Sequence, residues 1–181
     1  VVSRKYLNDY TIEYVEGRNG KLKARAVYKG KYFTFVEPGS IVKKTRNHMT
    51  LLLVLTWCAY IIPLLIDSST AKTFYVIFPH TFVFIPMSGM SFVAYHLWTQ
   101  KLPLTRQKSD FFSLKAPAFS FVMALLSGFA LAGCIISSLT GKTKLFSGEI
   151  IFWLCETFLF TASCLLFGLR KQTATRELPD A

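Results

Sequence analysis

The stretch FWLCETFLF, residues 152–160, sets one carboxyl group, Glu156, among tryptophan, phenylalanine, leucine and cysteine. An acid in such surroundings is paired, protonated or used, because an isolated charge in an apolar medium is too costly to keep. One candidate partner stands out. His80 falls about seven residues inside another apolar window, and Glu156 about six inside its own, so at 1.5 Å per residue both lie roughly 9–10 Å below the same surface. The two are expected to meet. Three roles for Glu156 remain open: a structural hydrogen-bonding group tied to His80 or to a hydroxyl such as Thr157 or Thr161, a contact to another subunit, or a proton or cation carrier.

A second coincidence involves thiols. Cys134 and Cys155 each fall about five residues from the outer ends of consecutive windows, and a bridge between them would need Cα atoms within about 7 Å. No CxxC or Cys/His ligand spacing accompanies them, so neither a zinc site nor a thioredoxin-like motif is expected. Buried thiols of this kind behave as small apolar groups. HExxH, GxSxG and Walker loops are also missing from the sequence, and no metal or organic cofactor is implied.

The elements that must position these groups follow from the distribution of charge. Hydrophobic residues make up 52% of the 181-residue chain and are bunched into four nearly uncharged windows, about 49–66, 74–98, 118–139 and 150–169. A helix needs about 20 apolar residues to cross a hydrocarbon core roughly 30 Å thick. The expected fold is therefore an α-helical integral membrane protein, a four-transmembrane-helix bundle spanning 48–171, with 1–47 as a β-rich headpiece and basic linker and 172–181 as a short tail. Of the 21 lysines and arginines, only Lys72, Lys142 and Lys144 fall in the loops opposite the termini. By the positive-inside rule both termini are expected in the cytoplasm, in a prokaryotic inner membrane, and the net charge of +11 is explained without nucleic acid.

The headpiece reads as three strands. YTIEYV places Tyr10, Ile12 and Tyr14 on one face, KLKARAVY alternates apolar residues with Lys21, Lys23 and Arg25, and KYFTFV follows. Asn19-Gly20 supplies a hairpin turn. A three-stranded antiparallel meander is expected. So small a sheet buries too little to stand alone and must lean on helix ends, bilayer, a second copy or another protein. The basic face of Lys21, Lys23 and Arg25 suits anionic lipid headgroups.

Within the windows, Ala124, Gly128 and Ala132 recur every four residues, a narrow stripe that lets helices approach closely. Pro79, Pro86 and Gly89 are expected to kink the second span. A non-enzymatic accessory, regulatory, assembly or immunity-type subunit is the leading expectation, with membrane lipids and either another membrane protein or a second copy as partners. The alternative is a small homo-oligomeric transporter or channel lined by Glu156 and His80.

Overall fold

The computed structural model describes residues 4–16, 22–100, 102–140 and 147–179. Four helical segments, Gly39–Leu65, Phe74–Thr99, Arg106–Leu139 and Gly148–Thr173, are long and apolar enough to cross a membrane. Between 33% and 39% of each segment's most apolar window is buried in the protein. The outward remainder is apolar as well, with Leu51, Phe74, Ile85, Phe129 and Leu154 all more than half exposed. A bundle in water would turn polar residues outward, so this surface fits a lipid environment.

The first segment is α1 (Gly39–Ile61), extended by a 3-10 turn at Ile62–Leu65. The second is split into α2 (Phe74–Phe82) and α3 (Phe84–Thr99). Two prolines account for the split. Pro79 has no N–H for the carbonyl of Tyr75, and Pro86 has none for that of Phe82, so the ladder is interrupted on either side of Val83. The third segment gathers a short helix at Arg106–Asp110, a π-turn at Phe111–Lys115 and α5 (Ala116–Leu139), the short helix being α4. The fourth is α6 (Ser147–Gly168), which runs into a 3-10 turn at Leu169–Thr173. Each segment packs on the next, and the first closes on the fourth, giving an antiparallel ring of four.

All four methionines of the chain, Met49, Met87, Met90 and Met123, are at most 3% exposed and meet in one cluster with Leu53, Val93 and Leu159. Unbranched and flexible, methionine side chains suit irregular space in a core. Indole donors tie the first two segments together. Trp57 Nε1 donates to Ser91 Oγ at 2.9 Å, and Trp98 Nε1 donates to Thr50 Oγ1 at 2.9 Å.

Helix α1 begins earlier than the sequence windows suggest. Its first turn takes in the stretch expected to be a linker, with the N–H groups of Ile41 and Val42 bonded to the Pro38 carbonyl. Lys43, Lys44 and Arg46 end the apolar window without ending the helix, since both residue types are good helix formers.

The headpiece departs from the expected meander. Strands β1 (Tyr10–Glu16) and β2 (Leu22–Tyr28) form the hairpin, paired from Tyr10 opposite Tyr28 to Glu16 opposite Leu22. The third strand, β3 (Tyr32–Phe35), does not pair with β2. It is the centre of a separate sheet, flanked by β4 (Leu104–Thr105) from the loop between the second and third segments and by β5 (Thr175–Glu177) from the tail. Two effects redirect it. The N–H groups of Lys29 and Gly30 bond to the carbonyl of Asp9, which turns the chain away from β2. Phe33 and Phe35 then pack on the helix core, with the Phe35 ring 5.7 Å from that of buried Phe112. Burying those two rings draws β3 onto the bundle, where the loop and the tail satisfy its backbone.

Candidate functional site

His80 and Glu156 meet in the bundle interior. His80 projects from α2, one residue past Pro79, and Glu156 from the middle of α6. Nδ1 of the imidazole is hydrogen-bonded to Oε1 of the carboxyl group, and neither side chain has any exposed surface. The ring of Tyr60 from α1 lies flat against His80, 4.8 Å away with 7° between the planes, and Phe152 closes another side at 6.1 Å. Cys134 and Cys155 stand within electrostatic reach of Glu156. Both thiols are free.

The pair is half satisfied. His80 Nε2 and Glu156 Oε2 are buried without a hydrogen-bond partner among the described residues, and so is Ser137 Oγ. A buried polar atom without a partner costs about 1–3 kcal/mol. These two open atoms are the pair's remaining capacity for hydrogen bonding. No group of three or more His, Cys, Asp or Glu residues among those described is arranged to hold a metal ion.

Close packing around the pair depends on Gly133. A Cβ there would lie 2.9 Å from the carbonyl oxygen of Tyr75 and 2.9 Å from Val76 Cγ2. That carbonyl is the one Pro79 leaves without its helical donor, so α5 presses a bare Cα against the weak point of α2. Outside this contact runs an apolar groove of about 500 Å³ between α2 and α5, with Tyr75, Phe78, Pro79, Phe129 and Ala132 among its walls. Neither His80 nor Glu156 lines it.

The other residues singled out in the sequence are more scattered. Gly128 faces Phe160 of α6, where a Cβ would sit 3.2 Å from the ring, while Ala124 is half-buried and Ala132 exposed. The fully buried line of α5 runs beside them through Ser120, Met123, Ser127, Ala130, Cys134 and Ser137. Lys23 and Arg25 are exposed on β2, with Arg25 opposite Glu13 across the hairpin. Lys21 and the Asn19-Gly20 turn lie outside the described residues.

Sequence reasoning passed over Glu149, at the start of α6. It is buried and accepts hydrogen bonds from Ser68 Oγ at 2.9 Å, from the Ser69 N–H and from the Thr70 N–H, fastening the loop after α1 to the last helix. The only sequence signal was an acid at a helix start opposite a run of hydroxyl residues. Tyr60, the residue stacked on His80, carried none.

At the opposite end, Asp110 accepts hydrogen bonds from Lys5 Nζ at 2.8 Å and Tyr6 OH at 2.9 Å. The hydrogen bond to Asp110, reinforced by its charge, holds the Lys5 ammonium above the ordinary lysine range. Tyr28 OH donates to the Lys31 carbonyl and accepts from the Arg106 N–H, and burial pushes its phenol upward. These contacts fasten the base of the hairpin. Beyond the base its two faces are open, with Ile12 64% and Tyr14 70% exposed.

The chain matches no known family model, no curated protein and no solved structure, so the reading of the site rests on its own chemistry.

Proposed function

We propose that this chain is a non-enzymatic subunit of a membrane complex, of an accessory, regulatory, assembly or immunity type, in a prokaryotic inner membrane with both termini cytoplasmic. The observation that carries the reading is the open hairpin. Two strands alone are marginally stable in water, yet here neither face is covered by the bundle, and one face carries Tyr10, Ile12, Tyr14, Ala24 and Ala26. A second protein laid on that face would bury the apolar side chains and leave Lys23 and Arg25 in water on the other. The test is native mass spectrometry of the protein purified gently from its host, beside the variant Ile12→Asp/Tyr14→Asp. Both positions are exposed, so the bundle should keep its stability within about 0.5 kcal/mol. A different polypeptide held in fixed ratio by the parent and lost from the variant supports the reading. A symmetric homo-oligomer that carries nothing else overturns it.

The open atoms of the His80–Glu156 pair favour a second reading, a homo-oligomeric transporter or channel in which these residues handle protons or a cation. Flux through liposomes decides it: Glu156→Gln and His80→Ala should each stop conduction. Conduction equal to that of the parent would leave the pair with a structural role.

A further inference from the structure

A second groove lies near the end of the bundle that carries the termini, between α1 and the end of the fourth segment. It has a volume of about 260 Å³ and is lined by Leu51, Leu52, Leu55, Leu165, Leu169 and His48. Five of its six walls are leucine. The sixth is at the mouth.

The stripe on α1 continues past that mouth. Lys44, His48, Leu51 and Leu55 recur at intervals of four, three and four residues, which places them on one helix face. Lys44 and His48 are exposed, and neither side chain has a hydrogen bond or ion pair with any described residue. Arg46, on the same turn, is engaged elsewhere, with its guanidinium 3.7 Å above the Trp98 ring. Thr45, hydrogen-bonded to Gln172, holds the two helices together behind the groove. From Lys44 to Leu55 the stripe measures about 16 Å at 1.5 Å per residue. Of this, the part from His48 to Leu55 that lines the groove is about 10 Å, which fits within one leaflet's half of a hydrocarbon core about 30 Å thick.

We propose that this groove binds one anionic phospholipid of the leaflet on the side of the termini, with an acyl chain along the leucines and the phosphate at Lys44 and His48. Three features select this occupant. Unpaired basic groups stand at and beyond the mouth, nothing but hydrocarbon lines the interior, and the length fits within a single leaflet. A partner helix fits less well, since one turn of a helix 10–12 Å wide fills roughly 500 Å³. The site is separate from the hairpin and does not depend on a protein partner.

The experiment uses the full chain in nanodiscs of equal phosphatidylglycerol and phosphatidylcholine, released gently and weighed by native mass spectrometry. The parent should retain one phosphatidylglycerol in preference to phosphatidylcholine. Lys44→Gln should lower that retention about fivefold, the factor equivalent to the ~1 kcal/mol carried by one basic residue near an anionic surface. Leu55→Trp keeps the charges but fills the groove and should abolish retention. Lys108→Gln, which removes a charge at the same end but away from the groove, should leave it unchanged. Equal retention of the zwitterionic lipid by the parent overturns the proposal. So does a loss in Lys108→Gln equal to that in Lys44→Gln, which would mark diffuse attraction, or full retention by Leu55→Trp.

Discussion

Replacing one member of the buried pair should damage the bundle far more than replacing both. His80 and Glu156 are fully enclosed and bonded to each other, with one further polar atom on each side chain already lacking a partner. Glu156→Leu leaves the imidazole with two unpaired nitrogens in an apolar interior, and His80→Phe leaves a whole carboxyl group there. Breaking a buried pair in this way costs about 3–5 kcal/mol. The double variant His80→Phe/Glu156→Leu removes every stranded polar atom of the pair and keeps an aromatic ring against Tyr60. Its remaining cost is that of fitting the larger ring, about 1–3 kcal/mol. The cycle should therefore show an interaction energy of at least about 3 kcal/mol, at the upper end of the range for residues in direct contact. Unfolding in mixed micelles with increasing dodecyl sulfate, followed by far-ultraviolet circular dichroism, measures all four proteins. Effects that add within about 0.5 kcal/mol would mean that the two side chains do not act as a pair, because additivity is the behaviour of residues that do not touch. Glu156→Gln refines the result. It retains an acceptor for a ring N–H but carries no charge, so a loss as large as that of Glu156→Leu identifies charge as the essential property.

Two glycines give opposite expectations in the same unfolding assay. Gly133→Ala puts a methyl group 2.9 Å from the Tyr75 carbonyl oxygen and should cost about 1–3 kcal/mol, whereas no loss would mean that α2 and α5 can separate freely. Gly168→Ala has nothing within 4 Å of the new Cβ and lies at the end of α6, so it should be neutral or gain up to about 1 kcal/mol in helix propensity.

Much of the helical architecture was legible because hydropathy reports directly on lipid-compatible segments. The four nearly uncharged windows became the four long helices, and counting residues inward brought His80 and Glu156 together because the helical rise is constant. What hydropathy marks is the apolar stretch and not the helix. Lys43, Lys44 and Arg46 continue α1 beyond its window, and the third segment starts at Arg106 because a π-turn absorbs the approach to Pro117. The strands were legible from period-two alternation, but alternation assigns faces, not neighbours. Phe33 and Phe35 are as well patterned for a meander as for the sheet they form. The choice was made by Phe112 and by short β4 and β5 partners whose two or three residues carry no strand signal of their own. The stack of Tyr60 on His80 was hidden for the same reason, since it joins residues of two different segments through rotation about helix axes that composition does not record.

The two small sheets divide their labour. The sheet of β4, β3 and β5 draws the N-terminal region, the loop before α4 and the tail into one clasp over the helix ends, with the Val36 N–H bonded to the Ala174 carbonyl at 2.9 Å and the Leu178 N–H to the Tyr32 carbonyl at 2.9 Å. Its inward phenylalanines belong to the bundle core. The hairpin adds little to that clasp. It is joined at its base through the edge-to-face rings of Tyr10, Tyr28 and Tyr32, spaced 5.2 and 5.1 Å, and from there it extends away from the core. Stability of the helices gives no account of why Ile12 and Tyr14 are apolar, because neither contributes to that core. An apolar face that the fold does not use is a cost in water, in solubility and in strand-edge association. The proposed recognition of a second protein would give such a face a role, on a short ribbon anchored at one end.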